Sequence, residues 1–169
     1  QYNVRGGNYD ENLVYVNDFE IYRPFLVSSG QQEGLSFTNL DLTDKLTFSG
    51  GGFESKYGDK MSSVLNIKYK TPTKFHGSIM ASILGVNAHV EGAAYTKKNA
   101  AKENPKFTYL VGVRYKSNAY LLGSLDKKGE YNPNFFDAQA DFHIKPNIKH
   151  DIEILVNHSF NDFKFTPVT

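Results

Sequence analysis

At 169 residues and 19.0 kDa the chain is long enough for one or two domains and too short for a large multidomain enzyme. Lys and Arg number 19 against 18 Asp and Glu, a formal charge of +1, so there is no basic field for nucleic acid and no acidic tail. The lack of cysteine excludes disulfides, thiolate metal sites and cysteine nucleophiles. A mean hydropathy of −0.47 with no long apolar run excludes a transmembrane helix but not a transmembrane β-barrel, whose strands alternate.

Leu13–Val16 and Phe19–Tyr22 flank Asn17-Asp18, the pattern of a short hairpin around a two-residue turn. Ser28–Gly34 reads as a loop and Leu35–Leu40 as one or two helical turns. Asp44–Ser49 predicts a strand, Gly50-Gly51-Gly52 a sharp turn, and Met61–Lys70 a second strand. Pro72 then restricts the residue before it and cannot donate to a central ladder, which sets a border between units 1–72 and 73–169. Seven Lys and Arg oppose nine Asp and Glu before the border and twelve oppose nine after it, so the formal charge moves from −2 to +3.

The second unit alternates with period two. A change of register at Gly85 predicts two strands, 75–83 and 88–95, with a tight turn around Leu84-Gly85-Val86-Asn87. Phe107, Tyr109, Val111, Val113 and Tyr115 share one strand face and Thr108, Gly112, Arg114 and Lys116 the other. Phe136, Ala138, Ala140, Phe142 and Ile144 alternate with Asp137, Gln139, Asp141, His143 and Lys145, and residues 151–160 continue the pattern. Five strands are expected, with a long connection over 118–134 and a short one at 146–148.

A half-buried sheet of a soluble sandwich also alternates. Strands of ten or more residues exceed the soluble mode of about five or six and suit the roughly nine to eleven that cross a bilayer. The apolar stripes carry aromatics near their ends, as an interfacial girdle requires.

Val4-Arg5-Gly6-Gly7, Leu13–Asp18, Phe53-Glu54-Ser55-Lys56-Tyr57-Gly58 and Ser63–Ile67 stand in order and at spacings that resemble the plug domain of TonB-dependent outer-membrane receptors, in a Bacteroidetes-like style. Asn17-Asp18-Phe19 stands where the family usually has Asp-Gly, and Ser49–Gly52 where it has Lys-Gly-Pro. The resemblance implies a mainly β chain: the C-terminal part of a partial α+β plug domain at 1–72, then the first five or so antiparallel strands of a barrel of ~22 strands at 73–169. It implies a piece of a longer bacterial outer-membrane receptor that takes up a small nutrient ligand, driven by a TonB-type energy-coupling protein. Outer-membrane lipid surrounds such a barrel and a surface lipoprotein is a possible partner; the resemblance implies no nucleic acid, no cofactor and no catalysis. The rival reading is a soluble β-sandwich that binds carbohydrate, with Tyr22, Tyr57 and Tyr120 as stacking platforms.

Arg5, Gly6, Gly7, Gly52, Tyr57 and Gly58 are, by that resemblance, the structural and gating motif of the plug. Arg5 is expected to meet acidic residues of the barrel wall, among Asp137, Asp141, Asp151 and Glu153. Gly50–Gly52 lacks the Gly-Lys-Ser/Thr of a phosphate loop. His89 and Glu91 share a face but have no third ligand nearby in sequence, and Asp137, Asp141 and His143 read as a polar lumen wall rather than an acid–base cluster. Substrate-binding residues are not legible.

Overall fold

The computed structural model describes residue 4 and residues 11–22, 37–58, 62–95, 105–117, 129–147 and 149–167, with the backbone alone for 129–133 and 163–167. It divides into two compact units, Gln1–Lys70 and Thr71–Thr169, and the border expected after Pro72 lies two residues further on. The chain is mainly β, and no α-helix occurs among the described residues.

Unit one holds β1 (Asn12–Val16), β2 (Phe19–Glu20), β3 (Thr43–Ser49) and β4 (Ser63–Tyr69) in the order β2-β1-β4-β3. The expected hairpin joins β1 to β2. Asn17 and Asp18 have φ of 47° and 70°, the left-handed pair of a type I′ turn, which Asn and Asp tolerate better than other side chains. Asn17 does a second job there, because its Oδ1 accepts the Tyr69 amide at 2.9 Å. β1 runs parallel to β4, pairing Leu13 with Val64 and Val16 with Ile67, and antiparallel pairs close both ends of the sheet. Leu13, Val14, Val16, Phe37, Leu42, Val64, Ile67 and Tyr69 form the core.

The helix expected over Leu35–Leu40 is not present in its described part. Residues 40–42 turn instead, because the Asn39 side chain accepts the Asp41 amide at 3.1 Å while its carbonyl accepts the Leu42 amide and the Thr43 hydroxyl. A short polar side chain that satisfies the backbone locally competes with helix formation. The helical component expected of a plug is therefore absent from what is described. Phe19 is 45% exposed, since β2 is a two-residue edge strand with no further neighbour.

Unit two is one antiparallel sheet of β5 (His76–Ser82), β6 (Gly85–Ala94), β7 (Phe107–Ser117), β8 (Gly129–Asn147) and β9 (His150–Pro167), each paired with its sequence neighbours. Five strands were expected and five are present, but several boundaries differ. The β5–β6 turn is Ile83-Leu84, with Ser82 Oγ accepting the Leu84 amide, not 84–87. Gly85 belongs to β6, where a Cβ would lie 2.0 Å from the Tyr115 carbonyl oxygen, so any larger residue pushes β7 away. The connection expected over 118–134 spans 118–128, because β8 starts at Gly129 and runs through Pro133. Pro133 lies past the end of β7, at an edge of the sheet, where a missing N–H is tolerated.

The two faces of this sheet differ in character. Register places Val86, Ala88 and Val90, then Phe107 to Tyr115 at odd positions, Phe136 to Ile144 at even positions, and Ile152, Ile154, Val156 and Phe160 on one face. That face is apolar apart from the exposed His158, and Val86, Val113, Tyr115, Ile152, Ile154, Val156 and Phe160 on it are exposed. The opposite face carries Thr108, Arg114, Asp137, Gln139 and Asp141, all buried. Phe107, Tyr109 and Phe142 mark one end of the apolar face and Tyr115, Phe136 and Phe160 the other, with Phe107 stacked near-parallel on Phe142. Where small residues meet, the aromatics fill in: Tyr109 lies across Gly92, and a Cβ there would overlap its ring.

Candidate functional site

The polar face of unit two is a chain of paired charges. Arg114 and Asp137 are direct cross-strand partners on β7 and β8. Arg114 Nε and Nη2 both donate to Asp137 Oδ2, at 2.9 and 2.5 Å, while Asn157 and Gln139 donate to Oδ1 at 3.2 and 3.4 Å. The two side chains are 7% and 0% exposed, so the pair is taken out of water with its lone pairs satisfied, the condition under which a buried ion pair is tolerated. Asp137 therefore has its partners within its own unit. Arg5, Gly6 and Gly7 lie outside the described residues.

A second cluster lies toward the β8–β9 turn. His143 stands between Asp141 at 3.3 Å, Glu153 at 3.6 Å and Asp151 at 3.8 Å, and Lys145 pairs with Asp151 at 3.1 Å. A third, on β5 and β6, joins His76, His89 and Glu91. Both histidine clusters offer three donors within 4.8 Å of one another, which makes them, among the described residues, the groups that could hold a metal ion. On the apolar face, Gly77, Ala88 and their neighbours leave an open hollow of about 670 Å³, lined mainly by Ile79, Val90, Val111 and Val113; it offers little to orient a polar ligand.

In unit one the structure gathers the second half of the expected motif into the loop between β3 and β4. Gly52 takes a left-handed φ of 63°, and the Tyr57 amide closes a turn onto the Glu54 carbonyl at 3.0 Å. That turn aims the Tyr57 ring at the sheet, where its hydroxyl accepts Asn66 Nδ2 at 2.8 Å and its ring packs 5.1 Å from Tyr15. Lys56 lies over the same ring, and its hydrogen bonds with Glu54 and then Tyr57 hold its ammonium above the ordinary value. Gly58 has open space around it. Of the stacking platforms expected for a sandwich, Tyr22 is 85% exposed, Tyr57 is engaged as described, and Tyr120 lies outside the described residues.

Lys68 on β4 donates to Asp18 in the hairpin turn at 2.6 Å, and that hydrogen bond, opposed by slight desolvation, holds the Asp18 carboxyl below its ordinary 3.8. A lowered carboxylate stabilises the fold above the unfolded value and loses that contribution as pH falls through the folded one. Lys68→Met is expected to remove this acid-side dependence, at a cost of under about 1 kcal/mol at neutral pH because both groups are exposed, read from Asp18 titration by NMR and from unfolding midpoints at pH 7 and pH 3.

Arg114 and His76 were missed as site residues for one reason: their partners are set by register, not by spacing along the chain. The turn expected at 84–87 would place His76 across from Tyr95, four residues beyond its observed partner Glu91. Gly85 marked the turn region but not which side of it the turn falls. Comparison of the chain with protein-family models, with curated proteins and with solved structures gives no match.

Proposed function

We propose that this chain is part of a bacterial outer-membrane receptor that imports a small nutrient by energy coupling, with unit one as plug and unit two as the start of the barrel wall. The observation that supports it is the inverted sheet, apolar and exposed on one face, polar and buried on the other. Water gives no reason to present such a face, whereas a bilayer does, and its aromatic ends suit an interfacial girdle around an apolar band about 25 Å tall. From Phe107 to Tyr115, eight residue-to-residue steps of about 3.4 Å each and a tilt of about 40° give roughly 21 Å along the membrane normal. A soluble sandwich would bury this face and wet the other. No described helix is long and apolar enough to cross a membrane, which says nothing of strands.

In this reading the buried charge pairs line the lumen, Tyr57 and its loop belong to the plug, and partners are the TonB-type coupling protein, lipid, a surface lipoprotein and the ligand. Fractionation of producing cells tests it. The protein is expected in the outer membrane, released by detergent and not by salt or carbonate. Recovery as a folded, monodisperse protein in plain buffer would overturn it in favour of the sandwich.

A further inference from the structure

We propose that His76, His89 and Glu91 form a transition-metal site that takes Zn²⁺ or an ion of similar softness. The inference uses two adjacent strands and does not depend on the receptor reading. Across the β5–β6 hairpin, register sets His76 opposite Glu91 and Ser78 opposite His89, while His89 and Glu91, two apart on one strand, point to the same face. The three donor atoms already lie within 4.8 Å of one another, and the two imidazole rings are 5.4 Å apart.

Two buried atoms point to a ligand. The His89 side chain is 4% exposed and that of Glu91 15%, and His89 Nε2 faces Glu91 Oε2 at 4.0 Å, too far for a hydrogen bond. Neither atom has a hydrogen-bond partner among the described residues. Buried polar atoms are rarely left so, and a cation bound by both removes the deficit of each. The other nitrogen of His89 is already fixed, since Nδ1 shares a hydrogen bond with Ser78 Oγ at 2.7 Å. With Nδ1–H donating to that oxygen, Nε2 presents its lone pair, the outer-shell arrangement by which proteins orient a metal-binding imidazole.

The donor set selects the ion. Two imidazoles and a carboxylate suit Zn²⁺, whereas Ca²⁺ and Mg²⁺ take all-oxygen shells. Donors about 2.0–2.2 Å from a tetrahedral ion stand roughly 3.3 Å from one another, so the group must contract slightly. His76, at the exposed start of β5, is the ligand with room to swing inward. Three protein donors leave a fourth position for water or for a donor atom of a bound molecule.

Co²⁺ serves as the spectroscopic probe. Added to the folded protein, it is expected to give the visible absorption of a four- or five-coordinate site, displaced by Zn²⁺. His76→Ala, which removes an exposed ligand and leaves the fold intact, is expected to weaken binding by more than ~100-fold. Ser78→Ala retains all three ligands and is expected to weaken it about 10- to 100-fold. His143→Ala, in the other histidine cluster, leaves it unchanged. Zn²⁺ raises the unfolding midpoint of the wild type and not of His76→Ala. No visible absorption with Co²⁺, wild-type affinity in His76→Ala, or loss of the spectrum in His143→Ala instead, overturns the site.

Discussion

Asp137→Ala is expected to lower the unfolding free energy by about 3–5 kcal/mol, the largest effect of any single replacement on the polar face of unit two. Arg114 would keep its place at 7% exposure without the carboxylate that accepts two of its N–H groups, and Asn157 and Gln139 would lose their common acceptor. The cost comes from leaving a buried guanidinium without this carboxylate rather than from the worth of the pair. The double replacement Arg114→Met with Asp137→Leu is therefore expected to recover most of the loss, because two well-packed apolar groups carry no desolvation penalty. Denaturant unfolding of the wild type, both single variants and the double variant measures the coupling. Single variants that each cost less than about 1 kcal/mol would show that water reaches the pair.

Val156→Lys is expected to cost about 2–4 kcal/mol when the protein is folded in lipid vesicles, and Ile152→Lys only about 0–1 kcal/mol. Val156 lies midway along the apolar band, level by register with Val111 through Ala140, and Ile152 at its end, level with Phe107 through Ile144, yet both are exposed, at 47% and 46%. In water two such surface positions would each change stability by about 0.5 kcal/mol or less. A depth-dependent penalty is thus a property of a lipid-facing surface and not of exposure as such. Equal, small costs at both positions in vesicles would remove the main support for the membrane reading.

What the sequence made legible follows from how local the determining physics is. The strands of unit two were readable because period-two alternation is written within each strand, and the type I′ turn because Asn17 and Asp18 carry its left-handed preference themselves. Faces survived even where the turn was misplaced, because a displacement of the partner by four residues preserves the parity of every side chain. Partners did not survive it, so the third donor at His76 could be seen only in the fold, and the Arg114–Asp137 pair likewise depends on the separate β7–β8 register. The helix expected at Leu35–Leu40 failed through a competition that periodicity does not register, in which the Asn39 side chain takes backbone bonds that a helix would have used.

The two sheets differ in the sequence distance between the strands they join. From β5 to β9 each strand pairs with the one made just before it, so that sheet can grow by successive hairpins with little loop to close. β1 instead pairs with β4, Asn12 to Ser63, and the intervening chain must be gathered before that parallel ladder yields any contact. Nucleation in the N-terminal sheet is accordingly the slower event, although its first strand leaves the ribosome first. Asn12–Val16 has to wait, unpaired except for the two residues of β2, until β4 is brought to it.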